Sequence, residues 1–260
     1  MEERMADNRE TKGSIPLSGT SYYETLWEQV GAEVRRVLHG TDSRVTAFGL
    51  LHAARAFRRV DGKYLAETPI EVLYDAVASF KPTQIIDFGA GAGDMLAELV
   101  LTGVCGDART YAIEPSQAGC ATAATIFGHL APYNPPVVLV GGVGNEASLN
   151  SMAREGRTLI YTHHSIEQVH KIPLSFWEAV LGFNNVLGIH MEPFGFQMLP
   201  SQDGDVAQER WIRERGWNVD LWPHLSALEN HKFLRRTMVG KNWIRRHLVS
   251  PTSIVIWRRF

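Results

Sequence analysis

Cysteine is almost missing from this chain: Cys105 and Cys120 are the only two in 260 residues. Two isolated cysteines make neither a disulfide framework nor a zinc site, and they fit a reducing cytoplasm. A charged-then-apolar leader at Met1 is missing too, and no apolar run reaches membrane-spanning length. A cytoplasmic chain with no membrane partner is the expectation. Positive charge is not in excess: 26 Lys and Arg stand against 28 Asp and Glu, a formal net charge of −2. That balance argues against a nucleic-acid partner, which usually calls for a basic surface. Repeats and low-complexity tracts are absent. What remains is a globular composition, 45% hydrophobic, ample for one large α/β domain with an elaboration.

The most informative stretch is Asp87-Phe88-Gly89-Ala90-Gly91-Ala92-Gly93-Asp94, which follows the apolar burst Gln84-Ile85-Ile86. It reads as a buried strand, a glycine-rich turn and the start of a helix over Met95–Leu101. Glycines without a Cβ let the backbone turn tightly and let a ligand touch the main chain. The dinucleotide fingerprint is G-x-G-x-x-G. Here the third glycine comes one residue early, and Asp94 holds the place it should fill. A second strand, Thr110–Glu114, ends in an acid roughly twenty residues on, where a nucleotide-binding α/β unit places a carboxylate on the ribose. An ionised carboxylate accepts two hydroxyl hydrogen bonds at once, and charge-assisted bonds are the strong kind.

An acid two residues before the first glycine, then G-x-G-x-G, then the acid of Glu114, resembles the class I S-adenosylmethionine-dependent methyltransferases of small molecules. The resemblance covers about Gln84 to Phe260. It implies a Rossmann-like fold: a mostly parallel seven-stranded sheet with an antiparallel C-terminal strand. It also implies S-adenosyl-L-methionine as cofactor and a small-molecule acceptor, with a homodimer left open. The strand pattern agrees. Val137–Gly141, Thr158–Thr162 and Val186–Met191 read as further strands, with helices such as Gln117–Phe127 and Leu174–Leu181 between them. Phe233–Val239 and Ser253–Arg258 read as a closing β pair joined by a basic stretch.

The chain divides into three parts. Residues 1–20 are polar and unpatterned and read as a disordered tail. Residues 21–80 read as an N-terminal helical cap, and residues 81–260 as the cofactor-binding methyltransferase domain. Within the cap, Ser21-Tyr22-Tyr23-Glu24 is a capping-box pattern ahead of Tyr23, Leu26, Trp27, Val30, Val34 and Val37 at helical spacing. Gly40 ends that helix. A second helix spans about Ser43 to Val60. A third opens at Thr68-Pro69-Ile70-Glu71 and is broken by Lys81-Pro82.

The resemblance also distributes roles. Asp87, Gly89, Ala90, Gly91 and Gly93 form the cofactor turn, and Glu114 holds the ribose with Pro115 beside it. Gly142 and Val143, in the loop after the third strand, flank the adenine. Thr162 and His163 end the fourth strand next to the cofactor. The segment His163-His164-Ser165-Ile166-Glu167-Gln168 resembles the H-V-L-E-H run of many small-molecule methyltransferases, with Gln168 departing from its second histidine. The fifth strand delivers His190-Met191-Glu192-Pro193 to the same edge, where open α/β sheets bind ligands. Histidine titrates near neutrality and suits the removal of a hydroxyl proton. His163, His164 and Glu192 are therefore the candidate catalytic groups, and O-methylation the leading reaction. His163, His164, Glu167, His170, His190 and Glu192 are also donor types that bind iron or zinc. Without an H-E-x-x-H pair or a cysteine cluster, no resident metal is expected. Methylation of nitrogen or carbon, a dinucleotide-dependent oxidoreductase and a non-catalytic cofactor-binding protein remain as alternatives. Thr162-His163-His164-Ser165 stands where nucleic-acid amino-methyltransferases carry an Asn/Asp-Pro-Pro-Tyr motif.

Overall fold

The structure is a computed structural model that describes residues 20–39, 68–198, 203–244 and 251–260. The expected tail, the helix near Ser43–Val60 and the basic pair Arg245-Arg246 lie outside those residues or almost so. Seven strands form one sheet: β1 (Gln84–Phe88), β2 (Arg109–Glu114), β3 (Val137–Val140), β4 (Arg157–His163), β5 (Asn185–Glu192), β6 (Leu234–Ile244) and β7 (Thr252–Arg259). Their order is β3-β2-β1-β4-β5-β7-β6. The first five run parallel, and β7 runs antiparallel to both β5 and β6. The order reverses between β1 and β4, which opens a crevice at the carboxyl ends of these strands.

The central strands are apolar on both faces because helices cover both faces. Ile85, Leu159, Tyr161, Ile189 and Met191 point into one cluster. That side is covered by α1 (Thr20–His39), α2 (Thr68–Phe80), α3 (Asp94–Leu101) and α4 (Gln117–Leu130). Ile86, Phe88, Ile160 and Val186 point into the other cluster. It is covered by α5 (Ala147–Asn150), α6 (Leu174–Leu181) and α8 (Leu221–Asn230), while α7 (Asp203–Glu214) lies between them in sequence. Trp27 and Val30 of α1 and Leu73 and Val77 of α2 share the first cluster with the sheet. These helices of the 21–80 segment are thus packed into the sheet's own core.

Boundaries shift modestly from the expected ones. The helix after the glycines begins at Asp94, and α4 continues to Leu130. Because α1 already begins at Thr20, Ser21 sits inside the helix rather than capping it. β6 runs on past Val239 to Ile244, with register shifts between Arg236 and Met238 and between Gly240 and Ile244. No helix among the described residues is long and apolar enough to cross a membrane.

Candidate functional site

The glycine turn connects β1 to α3 through three left-handed glycines: Gly89 at φ 83°, Gly91 at φ 56° and Gly93 at φ 73°. L side chains rarely adopt such angles. The turn is tied to β2, because Gly89 N–H and Ala90 N–H both donate to the Ile113 carbonyl, at 2.8 and 3.0 Å. Each glycine also faces a neighbour. A Cβ at Gly89 would lie 2.2 Å from Ser165, one at Gly91 2.4 Å from the Trp27 ring, and one at Gly93 2.4 Å from Phe127. Asp87, buried at the end of β1, is in register with Tyr161 of β4. Burial and the Asp87 carboxylate beside it hold the Tyr161 phenol protonated, well above its ordinary range.

Glu114 ends β2 with its side chain 5% exposed. One carboxylate oxygen accepts from Gly91 N–H at 2.9 Å and the other from Ser116 N–H at 3.1 Å. The acid and the glycine turn are therefore one unit, formed before any ligand is considered. A carboxylate offers about four lone-pair directions, and these two backbone donors hold the acid in one orientation. Pro115, exposed beside it, packs toward Gly142, where a Cβ would lie 3.3 Å from the proline ring. Gly142 pairs with Asn145 across a tight turn, and Val143 at its tip is half-buried. These groups stand next to the acid at the ends of β2 and β3. Cys120 lies under it, and burial, with Glu114 nearby, pushes its thiol up to about 11.

Helix α1 closes one side of this region. The Glu24 carboxylate accepts from Gln117 N–H at 3.0 Å and Ala118 N–H at 2.8 Å, covering the exposed donors of the first turn of α4. Trp27 approaches Gly119 as well as Gly91: a Cβ at Gly119 would meet Glu114 Cγ at 2.7 Å and Trp27 Cδ1 at 3.1 Å. Trp27 was legible only as a core position of an amphipathic helix. Its contact with the glycine turn depends on how α1 docks.

The histidine segment follows β4. His164 has a left-handed backbone, φ 51°, a conformation that costs about 1–3 kcal/mol outside glycine and persists when the surroundings fix it. They do so here at four points. Its N–H donates to Met191 O at 3.1 Å, and its carbonyl accepts from Gln168 Nε2 at 2.8 Å. Its Nδ1 lies 3.0 Å from Glu167 Oε2 and its Nε2 lies 2.7 Å from Thr252 Oγ1. His163, half-buried at the end of β4, meets His164 edge to face with ring centroids 4.9 Å apart. The alternation of β4 puts His163 on the Tyr161 side of the sheet.

Glu192 ends β5, in register with Ser253 of β7. It is 1% exposed and lies beneath the turn. Its carboxylate accepts from Ser165 and Ile166 N–H at 3.1 and 3.2 Å and from Glu167 N–H at 3.2 Å. Burial first, and then the Glu167 charge, raise its pKa to about 7. Thr162 is fully buried, with its hydroxyl 3.0 Å from His190 Nδ1. That pair faces the α6 side of the sheet, where His190 meets Trp177. His190 lies against Trp257 and Trp177, and burial lowers its pKa to about 3; it is a neutral core residue. His170 is exposed, 3.0 Å from the Gly216 carbonyl. Among the described residues, no group of three His, Cys, Asp or Glu is arranged to hold a metal ion.

No protein-family model and no curated protein matches the chain in sequence. Solved structures do match it in fold. The O-methyltransferase from Bacillus cereus in complex with SAH gives a TM-score of 0.57 at 14% identity, covering 91% of this chain and 100% of that one. The O-methyltransferase TomG from Streptomyces achromogenes, involved in tomaymycin synthesis and in complex with SAM, gives 0.56 at 12% identity, covering 91% and 98%. SAH-bound methyltransferase PaMTH1 from Podospora anserina gives 0.56 at 12%, covering 90% and 94%. The chain shares the Rossmann-like fold of these methyltransferases.

Proposed function

We propose that this protein is an S-adenosylmethionine-dependent methyltransferase that methylates a small molecule, on oxygen. The observation that carries the reading is the unit formed by Gly91 and Glu114: a buried acid bonded to the glycine turn at the crevice of this sheet. Glu114 would hold the ribose hydroxyls, and the turn Gly89–Gly93 would carry the methionine part on its backbone. Asp87 would face the cationic amine, and Pro115, Gly142 and Val143 would line the adenine. These residues fit the group. Glu114 is an acid fixed at the strand end by two backbone N–H donors, and Gly142 lies against Pro115, where a Cβ would meet the proline ring at 3.3 Å. When bound, S-adenosylmethionine supplies an electrophilic methyl group.

The chain's own part is alignment of the acceptor and removal of its proton. His163 and His164 are the candidate bases at the edge next to the glycine turn. Glu192, buried under three N–H donors, holds the turn that carries them rather than meeting an acceptor. A small acceptor is favoured because Thr162-His163-His164-Ser165 replaces the motif of nucleic-acid amino-methyltransferases. The free thiols of Cys105 and Cys120 support a reducing, cytoplasmic setting. A role in specialised metabolism is consistent with neighbours such as TomG.

The test sets two ligand classes against each other. S-adenosylhomocysteine at 100 times a micromolar Kd adds about 2.7 kcal/mol to folding stability by mass action and raises the melting temperature. NAD and NADP leave it unchanged. Stabilisation by the dinucleotides alone would replace this reading with the oxidoreductase one.

A further inference from the structure

His164 lies between two side chains that come from different parts of the chain. Glu167 is three residues away and buried. Thr252 is 88 residues away, at the first position of β7. It reaches His164 because β7 inserts between β5 and β6 and starts at the edge where β5 ends: Glu192 is in register with Ser253, the residue after Thr252. The antiparallel strand thus delivers a hydroxyl to the crevice that a continued parallel sheet would not.

The donor inventory decides the direction of the bonds. An ionised Glu167 can only accept, so Nδ1 carries the imidazole proton. Nε2 then presents a lone pair, and the hydroxyl at 2.7 Å must donate to it. The Thr252 oxygen keeps its own lone pairs for a further donor. We infer that Thr252 is a catalytic residue of the proposed methyl transfer: with Glu167 it fixes His164 in the Nδ1–H tautomer, and it relays the acceptor's proton to Nε2.

This rests on the methyltransferase reading and narrows its acceptor to a compound with a hydroxyl. The proton step balances. The acceptor's O–H bond breaks and a new O–H bond forms at Thr252 Oγ1, while the proton already on Thr252 moves to Nε2. The acceptor oxygen keeps the electron pair of its broken bond for the methyl group. His164 becomes an imidazolium beside Glu167, which stabilises the charge without taking the proton. The logic is that of a hydroxyl, an imidazole and a carboxylate in line, used here for relay rather than for attack by the hydroxyl. The strained backbone at His164 fits this role, since two bonds fix its backbone and two fix its ring.

The test is nitrogen NMR of the full chain labelled with ¹⁵N-histidine, at pH 7.5, with and without S-adenosylhomocysteine. His164 is assigned by the signal lost in His164→Asn. The expected result is a neutral ring with Nδ1 protonated and Nε2 unprotonated and hydrogen-bonded. Thr252→Val should shift the Nε2 signal toward that of a free nitrogen, and Thr252→Ser should restore it. A ring protonated at Nε2 in wild type, or an Nε2 signal indifferent to Thr252→Val, overturns the relay. If Thr252→Val does not fold, the wild-type tautomer and the Thr252→Ser spectrum still decide. Titration of the same samples with S-adenosylhomocysteine separates the two claims. Loss of binding in wild type refutes the cofactor reading, and affinity equal in wild type and Thr252→Val shows that the relay lies outside the cofactor site.

Discussion

On the β2–β1 side of the crevice the groups offered to a ligand are mostly backbone. Gly89, Gly91 and Gly93 turn left-handed, and a single acid, Glu114, fastens the turn. On the β4–β5–β7 side the groups are side chains. His164, Glu167, Thr252 and Glu192 bond to one another or to the turn they support. The first half is defined by the absence of Cβ atoms, and the second by titratable groups held out of water. Steric change should therefore damage one half, and proton activity should govern the other.

The largest expected effect is steric. Gly91→Val puts a branched side chain where the Trp27 ring lies 2.4 Å from an ideal Cβ, at a φ of 56°. Overpacking and a disfavoured φ together cost about 2–5 kcal/mol. S-adenosylhomocysteine affinity should fall by about 100-fold or more in calorimetry, with circular dichroism confirming the fold. Unchanged affinity would show that the turn is not a ligand surface.

Next comes Glu114→Ala. It removes bonds to ribose hydroxyls and also releases Gly91 N–H and Ser116 N–H. A hydrogen bond to a charged group contributes about 1.5–3 kcal/mol, so affinity should drop by about 10- to 150-fold. An equal loss from Glu192→Gln would break the contrast between the halves, because Glu192 lies under the other side.

The smallest effects are pH slopes, and they carry opposite signs. The Glu192 pKa is raised from 4.5 to about 7 in the folded protein. Its contribution to stability is full below pH 4.5 and is lost as pH rises through about 7. The His190 pKa is lowered from 6.5 to about 3. Its contribution is full above pH 6.5 and is lost as pH falls toward 3. Each amounts to at most about 1.4 kcal/mol per pH unit within its window. Urea unfolding across pH should lose the first slope in Glu192→Gln and the second in His190→Phe. Slopes unchanged by either substitution would mean that these groups titrate alike in folded and unfolded chains.

The backbone half was legible in the sequence because its signal is local. Glycine spacing, the acid before it and Glu114 after β2 all follow from strand and turn patterns within thirty residues. The five parallel strands were legible for the same reason, since apolar runs alternate with helical ones, while the antiparallel closing pair followed from the resemblance. The side-chain half was only partly so. His164 and Glu167 are close in sequence, but Thr252 meets them only through the register of β7 against β5. Glu192 was recognised as a carboxylate at a strand end. Its three backbone donors come from a turn 25 to 27 residues earlier, and nothing local to Glu192 announces them. Trp27 shows the same limit, because a core position and a ligand wall look alike on a helical stripe.

The measurement that tests the account most directly is a crystal structure with S-adenosylhomocysteine bound. The account predicts both ribose hydroxyls on the Glu114 carboxylate, the adenine against Pro115, Gly142 and Val143, and the sulfur facing the His163–His164 edge. A ligand lying elsewhere, or a ribose out of reach of Glu114, would contradict it.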